Sequence, residues 1–350
     1  MKLGILTLYN ADYGSYYQAV CLYNQLEKMG HECEIINILN RERRVAFNFF
    51  GSAVARFFPY IARRIANKIA PYNTFLMLRR DLKKYRISKN YFSMKRASKK
   101  YDCVVLGADE LWSATNPYVK YIRTYYGYHI TSPHISYATS GISIGTPNKK
   151  IMNNIRKDLN TFSSIGVRDE YTKEWVSKLT NKACNMVIDP TLLNPFFVEK
   201  KTINKEEKYI LVYGETFSEE SVKAIKDFAA LVKCRIISVS WKHDWCEFVN
   251  AKSAEELQDL FAGATWCMTS TFHGTIFSIL NQKNFMAFFT KHRGDKVYEL
   301  LKSLKLENRL YKSGAIENKD IDYDAVNNIL NDMRKDSLNY LKNALKEIED

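Results

Sequence analysis

Short apolar runs alternate with amphipathic stretches along most of this 350-residue chain, and the alternation starts over after a charged break near residue 200. Leu3–Leu8 reads as a strand, Tyr16–Met29 as a helix stopped by Gly30, and Cys33–Ile38 as a second strand. Asp102–Leu106, Ile135–Ala138, Ile165–Val167 and Met186–Asp189 continue the strands, with a helix over Lys149–Phe162. Asn194–Lys208, holding Pro195 and a run of lysines and glutamates, reads as a linker. Beyond it come strands Tyr209–Tyr213, Arg235–Val239, Trp266–Thr269 and Phe285–Phe289. Helices are expected over Glu219–Val232, Thr275–Leu280 and Lys296–Leu304, and Ser253–Glu256 forms a capping box for a helix ending near Ala262. Tyr323–Ile348 reads as one long helix, expected to pack back on the first domain.

Alternation at this spacing predicts parallel sheets with helices on both faces. The expected fold is α/β, with two Rossmann-like doubly wound domains facing a central cleft. Residues 1–195 would form the N-terminal domain, 206–322 the C-terminal domain, and 323–350 the returning helix.

Charge is unevenly placed. The net formal charge is +14, yet Arg41–Lys100 alone carries 17 Lys and Arg against Glu42 and Asp81, a net of +15. The rest of the chain is nearly neutral. Within this basic insertion Phe47, Phe50, Val54, Phe57, Phe58, Ile61, Ile65 and Ile69 recur at three-to-four spacing, with Arg56, Arg63, Arg64 and Lys68 between them. A basic amphipathic helix of this kind suits an anionic bilayer surface; packed on its own domain, it would instead show a solvated basic face. No run of about 18 uncharged apolar residues exists to span a membrane. The opening MKLGILTLYN passes directly into a strand, without a signal peptide's long apolar region. Seven cysteines without a CxxC pair read as reduced core thiols. The expectation from these features is a cytoplasmic protein, with the basic helix a candidate for peripheral contact with the inner face of the cytoplasmic membrane.

Four strand-to-loop transitions carry chemistry. In Trp266–Leu280, WCMTSTFHGTIFSIL, an apolar run ends in hydroxyls and a histidine where helical periodicity begins. A helix start offers unpaired N–H groups and the positive end of its dipole. Thr271 adds a hydroxyl, Gly274 allows close backbone approach, and His273 can supply a proton or a charge. A buried, hydrogen-bonded histidine fits the same residues. Lys291-His292-Arg293, with Lys296 behind it, forms a basic loop after the next strand, a second anion handle or a solvated surface loop. In Asn10–Gln18, Gly14 and small neighbours let a ligand approach, and Asn10 and Asp12 can bond hydroxyls; an Asx turn before a helix accounts for them equally.

In Gly107–Trp112, Asp109 and Glu110 follow a buried strand and Trp112 comes just after. Carboxylate plus aromatic suits a sugar, and capping alone would explain Asp109 but not Trp112. Arg168 ends another buried strand, where its fork requires an anion or an acid, Asp169 and Glu170 being the adjacent candidates. No GxGxxG or GxxxxGK(S/T) motif occurs, which argues against a standard dinucleotide or P-loop site. No cluster has metal-ligand spacing, and no Ser-His-Asp or Cys-His arrangement stands out. The pattern is that of a site for an anion and a polyol, without metal or cofactor.

In order and spacing these motifs resemble the polysaccharide pyruvyl transferase family. The early Tyr-Gly loop and Gln appear as Asn10–Gln18, Gly-Ser-Asp-Gln-x-Trp as Gly107–Trp112, and Ser-Tyr-Ala as Ser136–Ala138. The Val-Arg turn appears as Val167–Asp169, Asp-Pro-Thr-Leu-Leu as Asp189–Leu193, and Ser-Phe-His-Gly as Thr271–Gly274. The resemblance spans roughly residues 2–305. It implies a fold similar to the GT-B glycosyltransferases, with the acceptor on the N-terminal side and the donor on the C-terminal side. It also implies transfer from phosphoenolpyruvate onto two hydroxyls of a sugar or lipid-linked oligosaccharide, giving a pyruvate ketal and phosphate. No further cofactor and no nucleic acid would be involved.

The family's donor contacts map onto Arg168, His273 and, less directly, Lys296. His273 would serve as acid or phosphate partner, and Asp109 or Asp12 would orient or deprotonate the acceptor hydroxyl. The chain departs from the family pattern in Ala108 for Ser, Glu110 for Gln, Thr271 for Ser, and Asp12 and Ser15 where Asn and Ala are common. Thr271 keeps the hydroxyl, whereas Glu110 adds a negative charge on the acceptor side.

The main rival is a nucleotide-sugar-dependent GT-B glycosyltransferase. It needs an acidic residue for the ribose hydroxyls, and none stands near Trp266–Gly274. A non-catalytic module binding membrane or nucleic acid through the basic segment would leave the strand-end residues unexplained.

Overall fold

The computed structural model describes residues 1–9, 12–38, 72–114, 121–141, 147–193, 208–289 and 294–350. The amphipathic helix expected within 41–71, and the site residues Asn10 and Arg293, lie outside them. The chain divides into two units. One holds the described residues of 1–64, 82–194 and 332–350, the other those of 65–81 and 195–331.

The first unit is built on strands β1 (Lys2–Leu6), β2 (Glu32–Ile35), β3 (Cys103–Leu106), β4 (His134–Thr139), β5 (Ser164–Val167) and β6 (Cys184–Met186). Their order is β2-β1-β3-β4-β5-β6, and each pairing is parallel, as in Leu3 opposite Cys103 and Ile135 opposite Ser164. Sequence CVVL of β3 is buried at every position, as continuous apolar runs must be when helices cover both faces. The intervening helices are α1 (Tyr13–Lys28), α2 (Tyr72–Asp81), α3 (Met94–Ser98), α4 (Lys149–Leu159), α5 (Glu170–Leu179) and α6 (Pro190–Leu193). The core joins Val104, Leu106 and Ile165 to Trp112, Tyr126 and Phe162.

Helix α2 follows the basic insertion in sequence, yet it belongs to the second unit. There Arg80 donates to the Lys252 carbonyl (2.9 Å) and Asp81 Oδ2 accepts the Ala254 N–H (3.1 Å).

The second unit has β7 (Tyr209–Tyr213), β8 (Arg235–Val239), β9 (Glu247–Val249), β10 (Trp266–Thr269) and β11 (Asn284–Ala287), in the order β11-β10-β7-β8-β9 and again parallel. Helices α7 (Glu219–Val232), α8 (Ala254–Gly263), α9 (Phe272–Leu280) and α10 (Gly294–Ser303) pack around it. At α8 only half of the expected box forms: Ser253 Oγ accepts the Glu256 N–H (3.0 Å), but the Glu256 carboxylate bonds the Lys252 N–H instead of its own cap.

Helix α11 (Tyr323–Glu349) starts in the second unit, where Tyr323 donates to the Lys283 carbonyl (2.5 Å). From Asp332 on it belongs to the first. There Arg334 bonds the Leu192 carbonyl (2.7 Å), Ser337 Oγ accepts the Ile188 N–H (3.0 Å), and Tyr340 donates to the Ser136 carbonyl (2.7 Å). Gly166 in β5 makes room for it, since a Cβ there would lie 2.6 Å from the Tyr340 ring.

Several boundaries differ from the sequence reading. Helix α1 begins three residues early because Asp12 caps it. Strand β6 ends at Met186, and Asp189 instead precedes α6. Short β9 and helix α5 are additional to the elements expected from the sequence, although α5 carries helical spacing in Tyr171, Trp175, Val176 and Leu179. All seven cysteines are free, and burial pushes the Cys103 and Cys267 thiols up to about 12, which keeps them inert. Among the described residues no helix is long and apolar enough to cross a membrane.

Candidate functional site

Parallel sheets bind ligands where the strand order reverses, outside the carboxyl ends of the flanking strands. In the second unit the reversal falls between β7 and β10, and its residues are interlocked. Thr269 Oγ1 donates to the Tyr213 carbonyl (2.7 Å) and accepts the Thr271 N–H (3.1 Å). Thr271 caps α9, its Oγ1 accepting the Gly274 N–H (3.0 Å). The cap makes Phe272, not Thr275, the first helical residue. A Cβ on Gly274 would lie 2.0 Å from Thr269 Oγ1, and one on Gly214 would lie 2.0 Å from Ser270 Oγ. The close backbone approach read at Gly274 therefore serves the protein's own strand ends. Gly274→Ala should cost about 1–3 kcal/mol by overpacking, read as a lower urea midpoint with an unchanged slope.

His273 sits second in α9, half-exposed, with its ring 5.4 Å from Phe272 and 6.0 Å from Phe277. Lys296, in the first turn of α10, brings its Nζ within 5.8 Å of the Phe272 ring. Thr271, His273, Gly274 and Lys296 thus gather at one switch point, next to a helix N-terminus that favours negative charge.

Sequence reading missed the other wall of this region. After β8, Ser240 takes a φ of 70° and Trp241 sets its ring edge-on to Tyr213 at 5.0 Å. The His243 imidazole contacts the Gly214 carbonyl (Nε2, 2.9 Å) and lies 5.6 Å from Phe217 and 5.3 Å from Trp245. The signal was present in Ser-Trp-Lys-His-Asp-Trp, two tryptophans and a histidine following a buried strand.

In the first unit the order reverses between β1 and β3. Thr7 Oγ1 donates to the Ala108 carbonyl (2.8 Å) and ties the two strand exits together. Asp12 and Ser15 form a reciprocal capping box on α1: the Ser15 N–H bonds Asp12 Oδ1 (2.8 Å) and the Asp12 N–H bonds Ser15 Oγ (3.0 Å). The two departures from the family pattern at these positions are one structural device. Asp12 is otherwise exposed, and Gly14 is buried in the first turn.

Asp109 has a φ of 130° and Ala138, at the end of β4, a φ of 55°. Ala138 lies where the β4–β5 register shifts, and the Ser140 N–H bonds the Asp109 carbonyl (2.9 Å). Strain of this sort, worth about 1–3 kcal/mol per residue, gathers at functional sites. The Asp109 carboxylate accepts the Glu110 N–H (2.7 Å), and both residues are half-exposed.

Trp112 corrects the sequence reading. It is fully buried, donates Nε1–H to the Tyr125 carbonyl (2.8 Å) and packs against Tyr126 and Phe162. It offers no face to a sugar, because the strand exit turns it into the core.

Arg168 finds its acid elsewhere than expected. Its Nη1 meets Asp189 Oδ2 at 2.8 Å, with the two side chains only 4% and 1% exposed. Asp169 instead caps α5, accepting the Thr172 N–H (2.7 Å) and hydroxyl (2.5 Å). Asp189 Oδ2 also accepts Gln18 Nε2 (2.6 Å), and its Oδ1 accepts the Thr191 N–H (3.0 Å) and hydroxyl (2.6 Å). Asp189, absent from the sequence-derived site, is therefore the hub joining α1, the β5 exit and α6. Gln18 Oε1 and Ser140 Oγ are buried with no hydrogen-bond partner among the described residues, orphans of the kind that a ligand hydroxyl or ordered water satisfies. Among the described residues no group of three His, Cys, Asp or Glu side chains is placed to hold a metal ion.

Comparisons with known proteins agree with this architecture. UDP-GlcNAc 2-epimerase from Neisseria meningitidis, bound to UDP-GlcNAc, aligns with a TM-score of 0.51 at 10% identity, covering 99% of this chain and 100% of that one. UDP-GlcNAc 2-epimerase from Methanocaldococcus jannaschii aligns with a TM-score of 0.50 at 10% identity, covering 95% and 93%. At this identity the likeness establishes the fold alone, two Rossmann-like domains of GT-B type. No curated protein matches the chain in sequence. The family model "Polysaccharide pyruvyl transferase" matches residues 12–290, which include Asp12–Gln18, Gly107–Trp112, Val167–Asp169 and Thr271–Gly274, and the chain belongs to the polysaccharide pyruvyl transferase family.

Proposed function

We propose that the enzyme takes the pyruvyl group from phosphoenolpyruvate and builds it, as a ketal, onto two hydroxyls of a sugar in a cell-surface polysaccharide or its lipid-linked precursor. The observation that carries this reading is the placement of His273 and Lys296, 5.4 Å and 5.8 Å from the Phe272 ring, at the β7/β10 switch point. That corner combines a helix N-terminus, a titratable ring and a cation, which suits a phosphorylated carboxylate. Arg168, which the resemblance also gives to the donor, is 4% exposed and held by Asp189, and we assign it no contact with the donor.

In the proposed reaction a proton adds to C3 of the donor while one sugar oxygen bonds to C2. The C2–O bond to phosphate breaks, and the second sugar oxygen takes its place. Of the two hydroxyl protons released, one balances the new C3–H bond and the other leaves with phosphate. His273 supplies the proton or holds the phosphate, and Asp109 or Asp12 receives a proton from the acceptor. Thr271 and Gly274 shape the donor corner, while Gly14 and Glu110 line the acceptor loops.

Phosphate release from phosphoenolpyruvate, measured against a panel of glycans and lipid-linked glycans, tests the assignment. Glycan-dependent release with stoichiometric ketal formation is the expected result. Release of a nucleoside diphosphate from a nucleotide sugar, with phosphoenolpyruvate left untouched, would overturn it.

A further inference from the structure

Arg309 ends the short 3₁₀ turn Glu307–Arg309, and the fold buries it to 2% exposure. Its position is fixed. Leu310 bridges to Ala287 at the end of β11, and the Tyr311 N–H bonds the Ala287 carbonyl (2.8 Å). The guanidinium lies 5.7 Å from the ring of Trp266, the first residue of β10, and Nη2 donates to the Lys319 carbonyl (2.6 Å). These contacts set the charged group toward the amino end of the sheet, away from the strand exits.

A guanidinium has N–H donors on all three nitrogens. Here Nη2 has its acceptor, whereas Nε is buried without a partner and Nη1 makes no hydrogen bond among the described residues. No carboxylate pairs with the group among those residues either; Asp320 and Glu317 act on it only from a distance. Burial works against its charge. Holding one carbonyl needs no more than a neutral N–H, so tying down Lys319 does not account for a buried cation.

Arg309 lines a cavity of about 230 Å³ between this turn and the first turns of α11, room for an oxyanion and several waters. Lys305, held at a φ of 57°, and Lys319 line it as well; both are exposed, and neither forms an ion pair among the described residues. The two acids on its wall are already engaged. Asp320 Oδ1 accepts from Asn284 Nδ2 (2.6 Å), and Asp322 Oδ1 caps α11 by accepting the Asp324 and Ala325 N–H groups (3.1 Å each).

We propose that this cavity binds a phosphate group, as the free ion or a small monoester, with Arg309 Nη1 at its base and Lys305 and Lys319 at its rim. Several cations favour a dianion over a single carboxylate, and the guanidinium supplies planar, directed donors that an ammonium lacks. Lys305, Arg309 and Lys319 all follow the motifs that carry the family resemblance, so the site is separate from the corner at His273 and Lys296. The reaction proposed above releases phosphate, but binding here does not depend on that reaction.

The test uses the full chain carrying His273→Ala and Lys296→Gln, which removes the other proposed seat for phosphate. Melting is followed in sodium phosphate, sodium acetate and sodium chloride at one pH and equal ionic strength. Phosphate at about ten times its Kd should raise Tm by about 3 °C over chloride, and acetate should not. Adding Arg309→Met should abolish the rise, with Tm in chloride unchanged or higher, because an apolar chain of like length replaces an uncompensated charge. Should that variant fail to fold, Lys305→Ser with Lys319→Ser, both at exposed positions, should weaken phosphate binding about tenfold by calorimetry. A larger rise with glycerol phosphate than with inorganic phosphate assigns the site to a monoester, and the reverse to the free ion. No rise with phosphate, an equal rise in the Arg309→Met chain, or an equal rise with acetate would each overturn the proposal. Lack of donor turnover by the wild-type chain would count against the proposed reaction and leave this site standing.

Discussion

His273→Ala is expected to lower kcat by about 10²- to 10⁴-fold, the range that a single proton-transfer group supplies. The side chain is half-exposed and its described contacts are ring neighbours, Phe272 and Phe277. Its removal should therefore leave the fold intact, and circular dichroism and the melting temperature check that. The kinetic split then distinguishes its two proposed duties. A loss confined to kcat marks the proton donor, whereas a raised KM for phosphoenolpyruvate marks the phosphate partner. Lys296→Gln, with its ammonium beside Phe272, should raise KM more than it lowers kcat. Near-normal turnover in His273→Ala would remove the residue from the mechanism.

Asp189→Ala should destabilise the first unit by about 3 kcal/mol or more. The carboxylate is 1% exposed, neutralises a guanidinium that is itself 4% exposed, and accepts four hydrogen bonds. Breaking a buried pair from one side leaves a charge without compensation, which costs far more than the pair contributes net. Asp189→Asn should recover part of the loss, since its amide oxygen can still accept from Thr191, but it cannot restore the charge. Urea unfolding of both variants measures the difference. A loss below about 1 kcal/mol for alanine would mean that Arg168 is neutralised by another group. Because Asp189 also holds Gln18, beside the acceptor loops of the proposed reaction, the asparagine variant should shift KM for the acceptor before it shifts kcat, the mark of a positioning residue.

The signals that proved reliable were those whose physics is local. Continuous apolar runs such as CVVL and YILVY become doubly covered parallel strands, and Thr271, Asp12 and Ser253 each start a helix because a short side chain reaches the third N–H beyond it. Trp112 misled because exposure depends on which way a loop turns, and its neighbours Tyr125, Tyr126 and Phe162 come from later in the chain. The same reason hid the acid of Arg168: adjacent Asp169 was the natural guess, but it is occupied in capping α5. Helix α2 shows the limit most directly, as its last residues bond to Lys252 and Ala254, some 170 positions away.

Alternating periodicity and the ordered strand-end motifs were enough, from the sequence by itself, to determine two doubly wound α/β domains and the family. Hydrophobic period and capping depend on neighbours a few residues apart, so one dimension contains them. The tertiary structure alone decided that strand order reverses at β7/β10 and β1/β3, that Asp189 neutralises Arg168, that Trp112 is core, and that Trp241 packs on Tyr213 and His243 on the Gly214 carbonyl beside the β7/β10 switch point. Those outcomes depend on which distant segments share a sheet edge or a buried charge, and pairing free energy at that range is set only once the chain has folded.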